Sequence, residues 1–120
     1  MDTPRGIYEG GGMVREVDVH ELAAAQRDGA FVLDVRESFE YADGHVPGAV
    51  LVPLGSVRGR ISELPRDRRI YVICASGNRS YTAAGWLTAA GLDACSVRGG
   101  TGAWIRAGQA AVTGLRERAA

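Results

Sequence analysis

A cysteine followed by a small, polar run is where this chain could first do chemistry: Cys74-Ala75-Ser76-Gly77-Asn78-Arg79-Ser80. Small residues let consecutive backbone N–H groups turn inward around an anion, and Gly77 permits a positive φ. A helix opening after the loop would add its unsatisfied N–H groups and positive end. With Arg79 beside them, these favour thiolate over thiol at Cys74. A thiolate is a strong nucleophile, so covalent chemistry through Cys74 is the expectation. A Cys that only fills space has no need of an anion-cradling loop with an Arg at the helix start. Cys95 has no such loop. It lies mid-strand among Ala94, Ser96 and Val97 and is read as a packing residue, with a resolving thiol as the alternative.

Four other groups carry reactive side chains. Asp34, Arg36 and Glu40 cluster after a strand end, where a planar guanidinium suits a charge network that fixes the loop. His45 sits in Gly44-His-Val-Pro-Gly48, a turn rich in geometry-setting residues, and is expected to make structural hydrogen bonds. His20 is expected on the surface of the first helix, and Trp86 and Trp104 in the core or a pocket wall. Cys74, Cys95, His20 and His45 lack the close ligand pairs of a zinc site, so no metal is expected.

The elements that must position Cys74 alternate along the chain. Val14 to Val17 reads as a strand, and Asp18 with Glu21 as a capping box opening a helix that Gly29 ends. Phe31 to Val35 is a nearly continuous apolar run, a strand covered on both faces, followed by a short helix from Glu37 to Asp43. Ala49 to Val52 is the next strand. Val57, Ile61 and Leu64 place one stripe on a helix that Pro65 terminates. Ile70 to Cys74 is the clearest buried strand. A helix from Arg79 to Ala90, a last strand at Ala94 to Val97 and a short helix near Trp104 complete the pattern. Strands separated by helices imply parallel pairing in an α/β fold of three layers, α/β/α, with ligands at the carboxyl ends of the strands. Residues 1–12, which end in three glycines, read as a flexible tail. Residues 13–113 read as a single domain and 114–120 as a loose end.

Composition excludes several function classes. The chain has 120 residues, one domain's worth, with 46% hydrophobic and 23% charged residues, as in ordinary globular proteins. Its 14 basic and 14 acidic residues cancel, leaving no field to hold nucleic acid or an anionic membrane. All 14 basic residues are Arg, so P-loop and Schiff-base chemistry, which need Lys, are absent. Two cysteines are too few for a disulfide framework and are read as reduced thiols, and no membrane span or secretory signal is legible. Cytoplasm is the expected compartment.

Several separate motifs together resemble the rhodanese family, from about Val14 to Val112. Cys74-x-x-Gly77-x-Arg79-Ser80 is similar to the family's active loop. Leu33-Asp-Val-Arg-Glu37 with Gly44-His-Val-Pro-Gly-Ala49 is similar to its amino-terminal signature, and Gly99-Gly100 with Trp104 to its carboxyl-terminal one. The resemblance implies five mostly parallel strands flanked by helices and a sulfurtransferase whose loop Cys carries a persulfide. It implies a small anionic sulfur donor such as thiosulfate, a cyanide or thiol acceptor, and no cofactor. The loop residues Ala75 to Ser80 would hold the outer sulfur. Arg79 would add positive charge, and Arg36 either helps attract the donor or serves the charge network with Asp34 and Glu40. Two alternatives stand beside this reading. One is a persulfide carrier that docks on a sulfur-relay protein, with little turnover on free thiosulfate. The other is a Cys-dependent phosphatase or arsenate reductase, whose loops resemble Cys-x5-Arg. Here four residues separate Cys74 from Arg79, a shorter cradle suited to one sulfur.

Overall fold

The computed structural model describes residues 3–7 and 13–115. Along the chain run β1 (Thr3–Ile7), β2 (Met13–Val17), α1 (Val19–Arg27), β3 (Phe31–Asp34), α2 (Ser38–Asp43), β4 (Val50–Leu51), α3 (Leu54–Val57), a 3-10 segment (Arg58–Glu63), β5 (Ile70–Ile73), α4 (Asn78–Ala89), β6 (Ala94–Val97) and α5 (Gly100–Arg106). The strands lie in the order β1-β2-β6-β5-β3-β4. Every neighbouring pair from β2 to β4 is parallel, giving the five-stranded parallel sheet expected from the alternation of strands and helices.

The sixth strand is a correction. Thr3–Ile7, expected within a flexible tail, pairs antiparallel with β2, with Thr3 opposite Glu16 and Ile7 opposite Met13. Pro4 and Gly6 hide this strand from a sequence reading, because both residues are depleted in sheets and Pro is tolerated chiefly at an edge, where β1 lies. The rest of the expected tail, and residues 116–120 of the expected loose end, lie outside the described residues.

Local chemistry sets the helix ends. Asp18 accepts from the Glu21 N–H at 2.9 Å and donates its own N–H to the Glu21 carboxylate at 3.2 Å, the capping box read from the sequence. The stripe of Val57, Ile61 and Leu64 does not lie on one α-helix. Four α-helical residues give way to the 3-10 segment, in a stretch that Gly55 and Gly59 weaken as a helix. Ile61 and Leu64, three apart, then share a 3-10 face, so all three still pack on the core.

The pleat of the central strands divides two cores. On one face Ile70, Val72 and Cys74 of β5 and its end pack with Ala94 under Ala83, Ala84 and Leu87 of α4. On the other, Ile73, Cys95 and Val97 meet Leu22 of α1, Tyr41 of α2 and Trp104 of α5. Helices therefore cover both faces of the sheet. Trp104 is buried, its indole N–H donating to the Ala110 carbonyl at 2.8 Å, and Trp86 is half-buried with the Arg58 guanidinium 4.2 Å above its ring.

Candidate active site

Cys74 follows the last ladder residue of β5, at the carboxyl edge of the sheet, and its side chain is 1% exposed. The chain then turns through Ala75 and Ser76 to Gly77, which has φ +112° and caps α4. A residue with a Cβ is strained at this φ, and a capping side-chain oxygen is missing. The thiol takes the cap's place: the Gly77 N–H points at Cys74 Sγ, with nitrogen and sulfur 3.1 Å apart.

Burial is the largest single influence on the Cys74 thiol and pushes its pKa up. The Ser80 hydroxyl and the N–H groups of Ser80, Gly77 and Ser76 act in the other direction, and together they leave it below the ordinary value. Ser80 Oγ is 3.4 Å from Sγ and 2.8 Å from Ser96 Oγ. Both serines are fully buried, so a Ser80 hydroxyl aimed at a thiolate can be filled from behind by the Ser96 hydroxyl. Ser96 was missed in the sequence, although a lone hydroxyl in an otherwise apolar strand was its signal.

The loop carbonyls face the other way. The Thr101 N–H and hydroxyl donate to the Cys74 carbonyl at 2.8 and 3.1 Å, and the Gly102 N–H donates to that of Ala75 at 3.1 Å. The first turn of α5 thus anchors the loop by its carbonyls, leaving its N–H groups turned to the sulfur. Thr101 and Gly102 are further residues that sequence reasoning missed. Their signal was the adjacent Gly99-Gly100 pair.

Of the remaining loop residues, Ala75 lines the recess beside the loop, Ser76 and Asn78 are exposed, and Arg79 is half-buried and directed at Glu40. Its guanidinium grips Glu40 with two bonds of 2.8 and 2.9 Å. This pair holds the Glu40 carboxyl down at about 2 and raises Arg79 further. The positive charge expected at the pocket is therefore spent on a carboxylate.

The expected Asp34, Arg36 and Glu40 network resolves into two pairs. Arg36 Nε and Nη2 bind the Asp34 carboxylate at 2.8 to 3.2 Å, and Nη2 also donates to the Gly44 carbonyl at 2.9 Å. Both side chains are buried, and Arg36 ties the end of β3 to the turn before His45. Glu40 belongs instead to Arg79, and it caps α2 by accepting from the Glu37 N–H at 2.9 Å. His45 is buried and stacked on Tyr41, ring centres 3.5 Å apart. Its Nδ1 lies 2.7 Å from the Tyr41 carbonyl, which can only accept, so Nδ1 carries the proton. His20 is exposed on α1. Among the described residues no three His, Cys, Asp or Glu side chains converge as a metal site would need.

The Glu40–Arg79 pair has a pH signature. A folded pKa of about 2, below the ordinary 4.5, stabilises the fold in full above pH 4.5 and is lost as the pH falls toward 2. With the side chains 21% and 34% exposed, solvent screening limits the pair to about 1 kcal/mol. Urea unfolding of wild type and Arg79→Gln is expected to show that gap at pH 7 and a smaller one at pH 3. An equal gap at both would show that the pair's ionisation is not its source.

A cysteine cradled by backbone N–H groups at the carboxyl edge of a parallel sheet with helices on both faces defines a class of α/β domain. The chain belongs to the rhodanese-like domain family, whose model matches residues 18–107. It is 36% identical over 99 residues to a sulfurtransferase of Allochromatium vinosum, a match covering 80% of this chain and 92% of that one. It is 30% identical over 91 residues to the thiosulfate sulfurtransferase GlpE of Pseudomonas savastanoi pv. phaseolicola, covering 75% and 86%. The crystal structure of a rhodanese-related protein from Thermoplasma volcanium superposes with a TM-score of 0.77 at 35% identity, over 84% of this chain and 98% of that one. The family is one of sulfurtransferases.

Proposed function

We propose that this chain moves a sulfane sulfur from thiosulfate or a similar small donor to cyanide or a thiol, through a persulfide on Cys74. The observation that carries the reading is the cradle: Sγ 3.1 Å from the Gly77 nitrogen, in a loop whose Cys74 and Ala75 carbonyls are anchored on α5. In the first half-reaction the Cys74 thiolate attacks the outer sulfur of thiosulfate. The Sγ–S bond forms and the donor's S–S bond breaks, its electron pair leaving with sulfite. In the second, cyanide attacks the outer sulfur and leaves as thiocyanate, returning Cys74 to the thiolate. The N–H groups from Ala75 to Arg79 serve as fixed donors to the negative outer sulfur.

The engagement of Arg79 by Glu40 speaks against oxyanion chemistry, since a phosphatase loop needs its guanidinium turned inward to the tetrahedral anion. The same reading places the chain in a reducing compartment, the cytoplasm, supported by Cys74 and Cys95 standing outside any disulfide. Among the described residues no helix is long and apolar enough to cross a membrane.

Intact mass spectrometry tests the proposal. After prior reduction, incubation with thiosulfate is expected to add one sulfur atom, and cyanide to remove it with stoichiometric thiocyanate. No gain from thiosulfate, together with a gain from a protein-bound persulfide, would replace the small-donor reading with that of a carrier fed by a relay protein.

A further inference from the structure

If Arg36 and Arg79 are both spent on carboxylates, a dianionic donor approaching a thiolate needs another cation. An open recess of about 300 Å³ lies beside the Cys74 loop, and Arg36, Glu40, Asp43, Ala75, Gly102 and Ile105 are among the residues that line it. The charge of Arg36 is matched by Asp34 and that of Glu40 by Arg79, which leaves Asp43 as the uncompensated charge on the lining. On these groups alone the mouth repels a dianion.

Arg106, in the last turn of α5, changes that balance. Its side chain folds back along the helix so that Nη1 lies 3.1 Å from the place where a Cβ on Gly102 would stand, and that place is 3.4 Å from the Ala75 carbonyl oxygen. The missing side chain of Gly102 makes the room. The guanidinium thereby lies beside Gly102, a residue that lines the recess and bonds the Ala75 carbonyl next to Cys74. Arg106 is exposed and makes no ion pair or hydrogen bond with the described residues, so its charge is available to a ligand.

We propose that Arg106 is the donor-recognising cation of the site: it binds the sulfonate end of thiosulfate at the rim while Cys74 attacks the outer sulfur. This rests on the persulfide reading above and adds to it the group that selects the donor. In-line displacement at sulfur supports the placement. The leaving sulfite departs on the side of the outer sulfur opposite Sγ, which for so deeply buried a thiol is outward, toward the surface of the loop. As the S–S bond breaks, sulfite takes the electron pair and Cys74 keeps the transferred sulfur as persulfide. The cation at the rim thus meets the charge where it collects.

The test compares steady-state kinetics of the full chain with two donors that deliver the same sulfur, thiosulfate as a dianion and methanethiosulfonate as a monoanion, with cyanide as acceptor. At low salt Arg106→Gln is expected to raise the thiosulfate KM about tenfold and the methanethiosulfonate KM about threefold, with kcat within twofold. Both effects should shrink in about 0.5 M salt. Arg106→Lys is expected to keep most of the wild-type KM. Arg60→Gln, which removes the same charge from the 3-10 segment where Arg60 pairs with Glu63, should leave it unchanged. Unchanged KM values in Arg106→Gln, with wild type turning over both donors, would overturn the role of Arg106 alone. A wild type that neither donor can charge would overturn the persulfide reading and this proposal with it.

Discussion

Cys74→Ser is expected to keep the fold and lose sulfur transfer by more than about 10⁴-fold. The replacement hydroxyl inherits the partners of the thiol, the Gly77 N–H at 3.1 Å and Ser80 Oγ at 3.4 Å, so no buried polar group is orphaned and stability should change little. A serine hydroxyl does not ionise at neutral pH in this cradle and cannot hold a sulfur that a second nucleophile then removes. Cys95 cannot take over. It sits in the core on the opposite face of the sheet, with Val97 and Trp104, and its register partner on β5 is Tyr71, three residues before Cys74 and so about 10 Å back along the strand. Cys95→Ala should show the converse pattern, full persulfide formation with a stability loss of about 1–2 kcal/mol from the emptied core volume. Thiocyanate production and urea unfolding, measured on both variants, separate the two cysteines. Turnover of Cys74→Ser within tenfold of wild type, or a sulfur adduct located on Cys95, would remove Cys74 from the centre of the mechanism.

What could be read ahead of the structure was what is local. The strand run ending at Cys74, the capping box at Asp18 and the small loop after Cys74 are each written in neighbouring residues, and each stands where the spacing puts it. What could not be read is partnership across the chain. Arg79 in the cysteine loop suggests a cation for the pocket, yet Glu40, 39 residues away, claims it because β3 and β5 are neighbours and the segments that leave them meet at the carboxyl edge of the sheet. Ser96 acquires its relation to Cys74 only once β6 pairs with β5 and the pleat turns Ser96 and Cys74 to the same face. The first strand was hidden for a different reason: Pro4 and Gly6 have poor strand propensity, and the pairing with β2 overrides it. The stripe of Val57, Ile61 and Leu64 misled because α and 3-10 helices share a spacing of about three residues over so short a run.

Gly100→Ala is expected to destabilise the protein by at least about 3 kcal/mol and to disturb the sulfur cradle in whatever fraction still folds. Gly100 opens α5 with φ +59°, where an ordinary residue costs about 1–2 kcal/mol. The larger part is steric. A Cβ there would fall against the Cys74 carbonyl oxygen and within 2.6 Å of the carbonyl carbon and oxygen of Ala75. These are backbone atoms with no rotamer to change, and they are the carbonyls that Thr101 and Gly102 hold in order to keep the loop N–H groups facing the sulfur. The methyl can be accommodated only by driving α5 and the Cys74 loop apart, which breaks those bonds. Gly108→Ala supplies the comparison: its φ is +80°, with nothing within 4 Å of the added Cβ, so only the conformational cost remains. Urea unfolding of the two variants therefore isolates the contact between α5 and the loop, and the rate of Cys74 alkylation in the folded fraction reports whether the cradle still favours thiolate. If Gly100→Ala lost no more stability than Gly108→Ala and its cysteine reacted as in wild type, close packing of α5 against the loop would not be what holds the cradle open.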